Sequence, residues 1–182
     1  MRDKERTTMT KPPFVTGLAL AVALIAAPAS TTWAAGNNSR AGSMALVPRC
    51  QTSQLRGFIA GQNAGAGNIY TTLALRNGSG AACSIAGYPG VSLVDSVGRQ
   101  IGRPARWDAR TVHRLVLLPG GTASTTIRSL NSGVGTTDCL PPSAALRIFP
   151  PNQRAPLFVP ARLSECLGTL SVLPFVAGTA GE

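Results

Sequence analysis

The chain has 182 residues, 17 basic side chains against seven acidic ones, and a net charge of +10. That length sets aside a multidomain protein and is enough for a real hydrophobic core. The four cysteines (Cys50, Cys83, Cys139 and Cys166) therefore reinforce a core here and do not replace one.

Residues 1–34 read as a signal peptide. Arg2, Lys4, Arg6 and Lys11 form a basic start, and Phe14–Ala27 is an apolar run of h-region length. It is short of the ~20 residues a membrane helix needs. Cleavage is expected after Ala34, with Ala29 as the alternative position; an uncleaved anchor is the competing reading. No later apolar run is long enough to span a bilayer, so no transmembrane segment is expected after cleavage. The remaining chain carries 13 arginines, no lysine and five acids, a net charge of +8. Such a surface attracts anionic polymers and membranes. Outside the membrane, envelope polymers are more accessible than nucleic acid, which is not expected as a partner. The competing explanation is a genome that favours arginine codons over lysine codons.

Residues 35–49 read as a flexible leader, 50–178 as one β-domain and 179–182 as a tail. Within the domain, Ser53–Ala60 alternates Leu55, Gly57 and Ile59 on one side. Gly61–Asn68 is glycine-rich and reads as a loop. Ile69, Thr71, Leu73 and Leu75 then share one face of a half-buried strand. Asn77-Gly78-Ser79-Gly80 is a turn, and Cys83 opens the next segment. Val91–Val94 reads as a strand, followed by an Asp95–Gly98 hairpin loop. Val112–Leu118 is a strand ended by Pro119-Gly120-Gly121, and Thr122–Leu130 is rich in β-branched residues. Ala144–Phe149, Pro156–Val159 and Thr169–Phe175 supply three more strands, bounded by prolines. About eight short strands at this spacing, with no capped helical period, predict an all-β, immunoglobulin-like antiparallel β-sandwich.

The cysteines are too widely spaced for a redox or zinc motif. Of the three pairings possible, Cys50–Cys83 and Cys139–Cys166 are expected, because each closes a loop between neighbouring elements. Loops of about 30 residues correspond to about 3–4 kcal/mol per bridge in the chain-entropy account. His113 is the sole histidine, so a Ser-His-Asp hydrolase would have to be built on it; no G-x-S-x-G elbow is present. Asp95 reads as a turn former and Asp108 as charge relief among arginines. Asn37-Asn38-Ser39 and Asn77-Gly78-Ser79 match the N-glycosylation pattern. No cofactor or metal site is expected. The densest chemical feature is Arg99, Arg103, Arg106, Arg110 and Arg114, with Trp107 among them. It is the candidate anion-binding segment, competing with the reading of a solvated loop.

Cys83-Ser84-Ile85-Ala86-Gly87-Tyr88-Pro89-Gly90-Val91 resembles the secreted actinobacterial family known as domain of unknown function 4232. Ala66-Gly67-Asn68, Leu118-Pro119-Gly120-Gly121-Thr122-Ala123 and Leu146-Arg147-Ile148-Phe149-Pro150-Pro151 are similar in order, as are Cys166 and the Val172–Gly178 ending. The resemblance covers roughly Cys50–Gly178 and implies an exported, disulfide-bonded β-sandwich with no assigned activity. In its motif, Gly87 and Gly90 permit turns, Pro89 fixes φ, and the Tyr88 hydroxyl is expected to reach a backbone group. The expected function is a non-enzymatic module of the cell envelope or the extracellular space. Its expected partner is an anionic cell-wall polymer or another envelope protein. The alternatives are an exported hydrolase using His113 and a proteinase-inhibitor-like module.

Overall fold

The computed structural model describes residues 46–132 and 138–181. The expected signal peptide, both cleavage positions, Asn37-Asn38-Ser39 and most of the leader lie outside the described residues.

A 3-10 turn, Thr52–Gln54, precedes β1 (Leu55–Gly65). β1 pairs antiparallel with β2 (Asn68–Asn77), from Leu55 opposite Asn77 to Gly65 opposite Asn68. Only Ala66 and Gly67 connect them, with φ of 47° and 75°, as a type I′ hairpin turn requires. The expected loop over Gly61–Asn68 is therefore the tip of a hairpin. Its glycines are accommodated in extended strand, with a bulge between Ile59 and Gly61.

β2 places Leu73 and Leu75 on its inner face, as the alternation predicts. Its outer face is buried too, at Thr72 and Ala74, because the C-terminal chain lies across it. The Gly181 N–H donates to Ser124 Oγ at 2.9 Å, and Gly181 sits close enough to Thr72 and Thr126 that a Cβ there would press on both. The strand is thus buried on both faces, and Gly181 of the expected tail is part of the packing.

The remaining strands, in chain order, are β3 (Cys83–Ile85), β4 (Gly90–Val94), β5 (Gln100–Ile101), β6 (Arg106–Trp107), β7 (Leu115–Leu117), β8 (Thr122–Leu130), β9 (Ala145–Phe149), β10 (Leu157–Pro160), β11 (Ser171–Val172) and β12 (Val176–Ala177). One sheet runs β1-β2-β8-β11-β6, with β12 also on β8; a second runs β10-β9-β4-β5; β3 and β7 form a third. The fold is all-β, and a sandwich describes it. Among the described residues, eight of the twelve strands are three residues or longer, and the pairing is antiparallel between all of them except β6 and β11.

The larger core lies between the two main sheets. Leu73, Ile127 and Val172 from one meet Val91, Leu93, Leu146, Ile148 and Val159 from the other. A second cluster joins Leu55, Leu75, Ala123 and Phe175 to Ile85 and Leu117 of the small sheet. Each fully buried Leu or Ile contributes about 1.5–3 kcal/mol. The bridges are Cys50–Cys83 and Cys139–Cys166, and the first lies inside the second cluster.

Two sequence boundaries move. The strand expected from Val112 begins at Leu115, because its partner β3 is only three residues long and pairs Cys83–Ile85 with Leu115–Leu117. The strand expected over Thr169–Phe175 is shortened to β11, and β12 follows just beyond its expected end. Pro174, which lacks an N–H, stands between them. Val47–Arg49, inside the expected leader, are also paired: the Ser84 N–H donates to the Pro48 carbonyl at 2.7 Å, and Arg49 bridges Ser84.

Asn77 is fully buried at the end of β2. Its Nδ2 donates to the carbonyls of Ala81 at 2.8 Å and Leu117 at 3.0 Å, and its Oδ1 accepts from the Ser79 N–H at 3.0 Å. That occupancy leaves no room for a glycan on the Asn77-Gly78-Ser79 match. Asn77→Ala strands the Leu117 carbonyl, whose bond is buried, and removes the part-buried bonds to Ala81 and Ser79; each unsatisfied buried group costs about 1–3 kcal/mol. The expected loss is at least about 2 kcal/mol, read as a lower urea midpoint with an unchanged slope. A midpoint like the wild type's counts against this account.

Candidate functional site

The segment Arg99–Arg114 holds every arginine of the sequence-based candidate site. It begins on the β4–β5 hairpin. Asp95 Oδ1 accepts the N–H groups of Val97 at 3.0 Å and Arg99 at 2.9 Å, and its Oδ2 accepts from Arg99 Nε at 2.8 Å. Asp95 is the expected turn former, and Arg99 is turned back onto it as an ion pair. Partial desolvation pushes the Asp95 carboxyl upward. The Arg99 and Val97 N–H groups and the Arg99 charge outweigh it, and hold the group below the ordinary carboxylate range.

Further along, Gly102 adopts φ +65° and lies against the buried carboxylate of Glu165, where a Cβ would collide. Glu165 Oε2 accepts the Arg103 N–H at 3.1 Å. Arg103 and Arg106 line a concavity of about 420 Å³ together with Glu165 and Asp138. β6 then pairs in parallel with β11, Arg106 opposite Ser171 and Trp107 opposite Val172. Asp108 Oδ2 accepts from Ser171 Oγ at 2.9 Å and lies 3.6 Å from Arg128 Nη2. The charge Asp108 relieves is therefore that of Arg128 on β8, instead of its sequence neighbours. Arg110 and Arg128 line a second concavity with Asp108.

Tyr88 holds the stretch from Trp107 to Arg110 in place. Its ring stacks on Trp107, with centroids 5.2 Å apart and an interplanar angle of 16°. Its hydroxyl accepts the Arg110 N–H at 2.8 Å and donates to the Asp108 carbonyl at 3.0 Å. The backbone contact expected of this motif tyrosine is thus made, and it pins the arginine-rich segment. Beyond it, Arg110–Arg114 are exposed. Arg114 Nη2 donates to the Val47 carbonyl at 2.6 Å and to Ser84 Oγ at 3.0 Å. Arg114 and Arg49 line a third concavity of about 190 Å³, whose lining contains no carboxylate. The arginines adjacent in sequence are thus distributed over several concavities.

The fourth concavity, about 340 Å³, is lined by Tyr88, Trp107 and Phe149 and by Pro150-Pro151-Asn152-Gln153. Those four residues form a turn: the Gln153 N–H donates to the Pro150 carbonyl at 3.0 Å, and Asn152 sits at φ 61°. Proline second and a left-handed asparagine third is the type II pattern. Ala86, Pro151 and Asn152 line both this groove and the Arg49–Arg114 concavity.

His113 is exposed and has no side-chain hydrogen bond among the described residues. Among the same residues, no group of His, Cys, Asp and Glu is arranged to hold a metal ion, and no helix is long and apolar enough to cross a membrane. Sequence reasoning missed Arg49, Glu165 and Asn152. Arg49 was legible in principle: it adjoins Cys50, and the bridge to Cys83 brings it beside Ser84. Nothing in the sequence links Gly102 to Glu165.

A family model, domain of unknown function (DUF4232), matches residues 50–176. The chain belongs to that family. No curated protein and no solved structure gives a significant match.

Tyr88→Phe removes one hydroxyl that serves both a donor and an acceptor, at a cost of about 1 kcal/mol. The Arg110 amide should then lose hydrogen-exchange protection while β8 amides keep theirs; unchanged Arg110 protection refutes the pinning role. For Asp95, the folded-state carboxyl titrates below its unfolded value. Its stabilisation is present above the unfolded pKa of about 3.9 and is lost as pH falls through the folded one. An Asp95→Asn variant should therefore show a shallower acid-side loss of stability than the wild type. Superimposable acid melts of the two proteins would remove the coupling.

Proposed function

We propose that this protein is an exported, non-enzymatic domain of the cell envelope that binds an anionic polymer through its arginines. Export is supported by the basic and apolar start of the chain and by two disulfides, which persist in oxidising compartments. The binding reading rests above all on one observation: Arg49 and Arg114 line a concavity without a carboxylate, and Arg114 is held there by Val47 and Ser84. A guanidinium already anchored loses less freedom on meeting a carboxylate or phosphate, and its planar fork suits both. The concavity holding Arg103 and Arg106 contains Glu165 and Asp138, so its field is partly cancelled. The non-enzymatic reading rests on His113, the chain's sole histidine, whose ring stands in solvent without a hydrogen-bonded partner among the described residues.

Retention on an immobilised acidic polysaccharide tests the binding reading. Wild-type protein should bind at low ionic strength and elute as salt screens the contact. Arg49→Ala/Arg114→Ala should elute at clearly lower salt, and Arg103→Ala/Arg106→Ala/Arg110→Ala should shift less. Equal retention of all three proteins ends the reading.

A further inference from the structure

Trp107 is 65% exposed, unusual for the largest apolar side chain in a domain with a well-filled core. One face of its indole stacks on Tyr88, so its high exposure falls on the rest of the ring. Its ring N–H has no hydrogen-bond partner among the described residues, nor has the Asn152 carboxamide of the same groove. The surface is thus a fixed aromatic plane, with one free face and free polar groups at its margins. Pyranose rings present this complementarity: an apolar C–H face that meets the negative face of an aromatic ring, and an equatorial rim of hydroxyls. The occupant's charge is indicated next door. Asn152, Ala86 and Pro151 form the lip shared with the Arg49–Arg114 concavity, so a chain crossing that lip passes from a stacking site to a pair of guanidinium groups.

We propose that the Tyr88–Trp107 groove and the adjoining Arg49–Arg114 concavity form one composite site for an acidic polysaccharide, with a uronic-acid pyranose stacked on the free face of Trp107 and a neighbouring carboxylate held by the two arginines. This deepens the anionic-polymer reading and rests on it. Arginine supplies the attraction and the aromatic plane supplies the requirement for a sugar ring.

The test uses the exported protein carrying Trp33→Phe, so that Trp107 is the sole indole whether cleavage follows Ala29 or Ala34. Polygalacturonate should shift Trp107 emission saturably, whereas inorganic polyphosphate, which has charge but no ring, should bind without the shift. In this background Trp107→Ala, followed by calorimetry, should weaken polygalacturonate about tenfold, equivalent to about 1.4 kcal/mol, and leave polyphosphate affinity unchanged. Trp107→Phe should recover most of the loss, which separates stacking from any disturbance of β6. If polygalacturonate binds but Trp107→Ala retains full affinity, the composite site is wrong and the arginine reading survives. Equal weakening for polyphosphate also overturns stacking. If neither polymer binds, both readings fall.

Discussion

The pairing of β8 along both its edges is the constraint on which the rest of the molecule depends. β2 occupies one edge over nine residues, from Asn68 opposite Leu130 to Arg76 opposite Thr122. The C-terminal chain occupies the other, through β11 at Ile127 and Arg128 and β12 at Ala123 and Ser124. Its faces are covered as well: β8 buries Ser124, Thr125, Thr126 and Ser129. Such hydroxyls must find partners. Ser124 accepts from Gly181, and Thr125 Oγ1 donates to the Leu173 carbonyl. The Leu173 carbonyl falls just where Pro174 interrupts the edge, so the side chain of β8 completes the ladder that proline breaks.

From that edge the candidate site is built outward. β11 is the partner on which β6 is laid in parallel, and β6 carries Trp107. Phe175, next to the same proline, donates its N–H to the Gly87 carbonyl at 3.0 Å, tying the C-terminal chain to the turn that presents Tyr88. The two stacked rings therefore come from segments that are both anchored to the C-terminal chain and are also joined directly, by the Ala105 N–H donating to the Val91 carbonyl at 2.8 Å. Tyr88 then converts a stack into a clamp through its hydroxyl bonds to residues 108 and 110. The energy of any one of these contacts is about 1 kcal/mol, but they share elements and act on one short segment. Mutational effects within this set are therefore not expected to add.

Strands bounded by strong turn chemistry were legible in the sequence. Thr122–Leu130 is found with its predicted ends because the Pro119-Gly120-Gly121 turn fixes its start and the β-branched run fixes its character. The fold class, the family and the disulfide pairing were legible for related reasons: alternation, proline punctuation and a specific motif beside Cys83. What sequence did not show was set by partners distant in the chain. Gly61–Gly65 has the composition of a loop, yet β2 supplies a ladder that outweighs glycine's entropic cost. Val112–Arg114 has strand propensity but no strand to pair with. Five arginines within sixteen positions suggest one patch. Instead, Asp95, Glu165, Tyr88 and Ser84 each hold a different part of the segment and send its side chains into separate concavities.

That dispersal bears on what kind of ligand the surface suits. Exposed arginines far apart on a basic protein give a weak, salt-screened field, and single contacts of that kind contribute little on their own. A compact anion would meet one concavity and gain little more than one such contact. Under the proposed function, an extended polymer would meet several in succession, and each contact after the first would form at high effective concentration, so modest sites would combine into useful affinity. Rigidity is what would make the combination work: the hydroxyl clamp, the bridges and the two-edged strand hold the backbone that carries these arginines in fixed relation, so binding would lose little further backbone freedom. The arginine dispersal and the stapled all-β scaffold are thus two parts of one physical argument, in which a linear, repeating, negatively charged partner gains more from this surface than a small one.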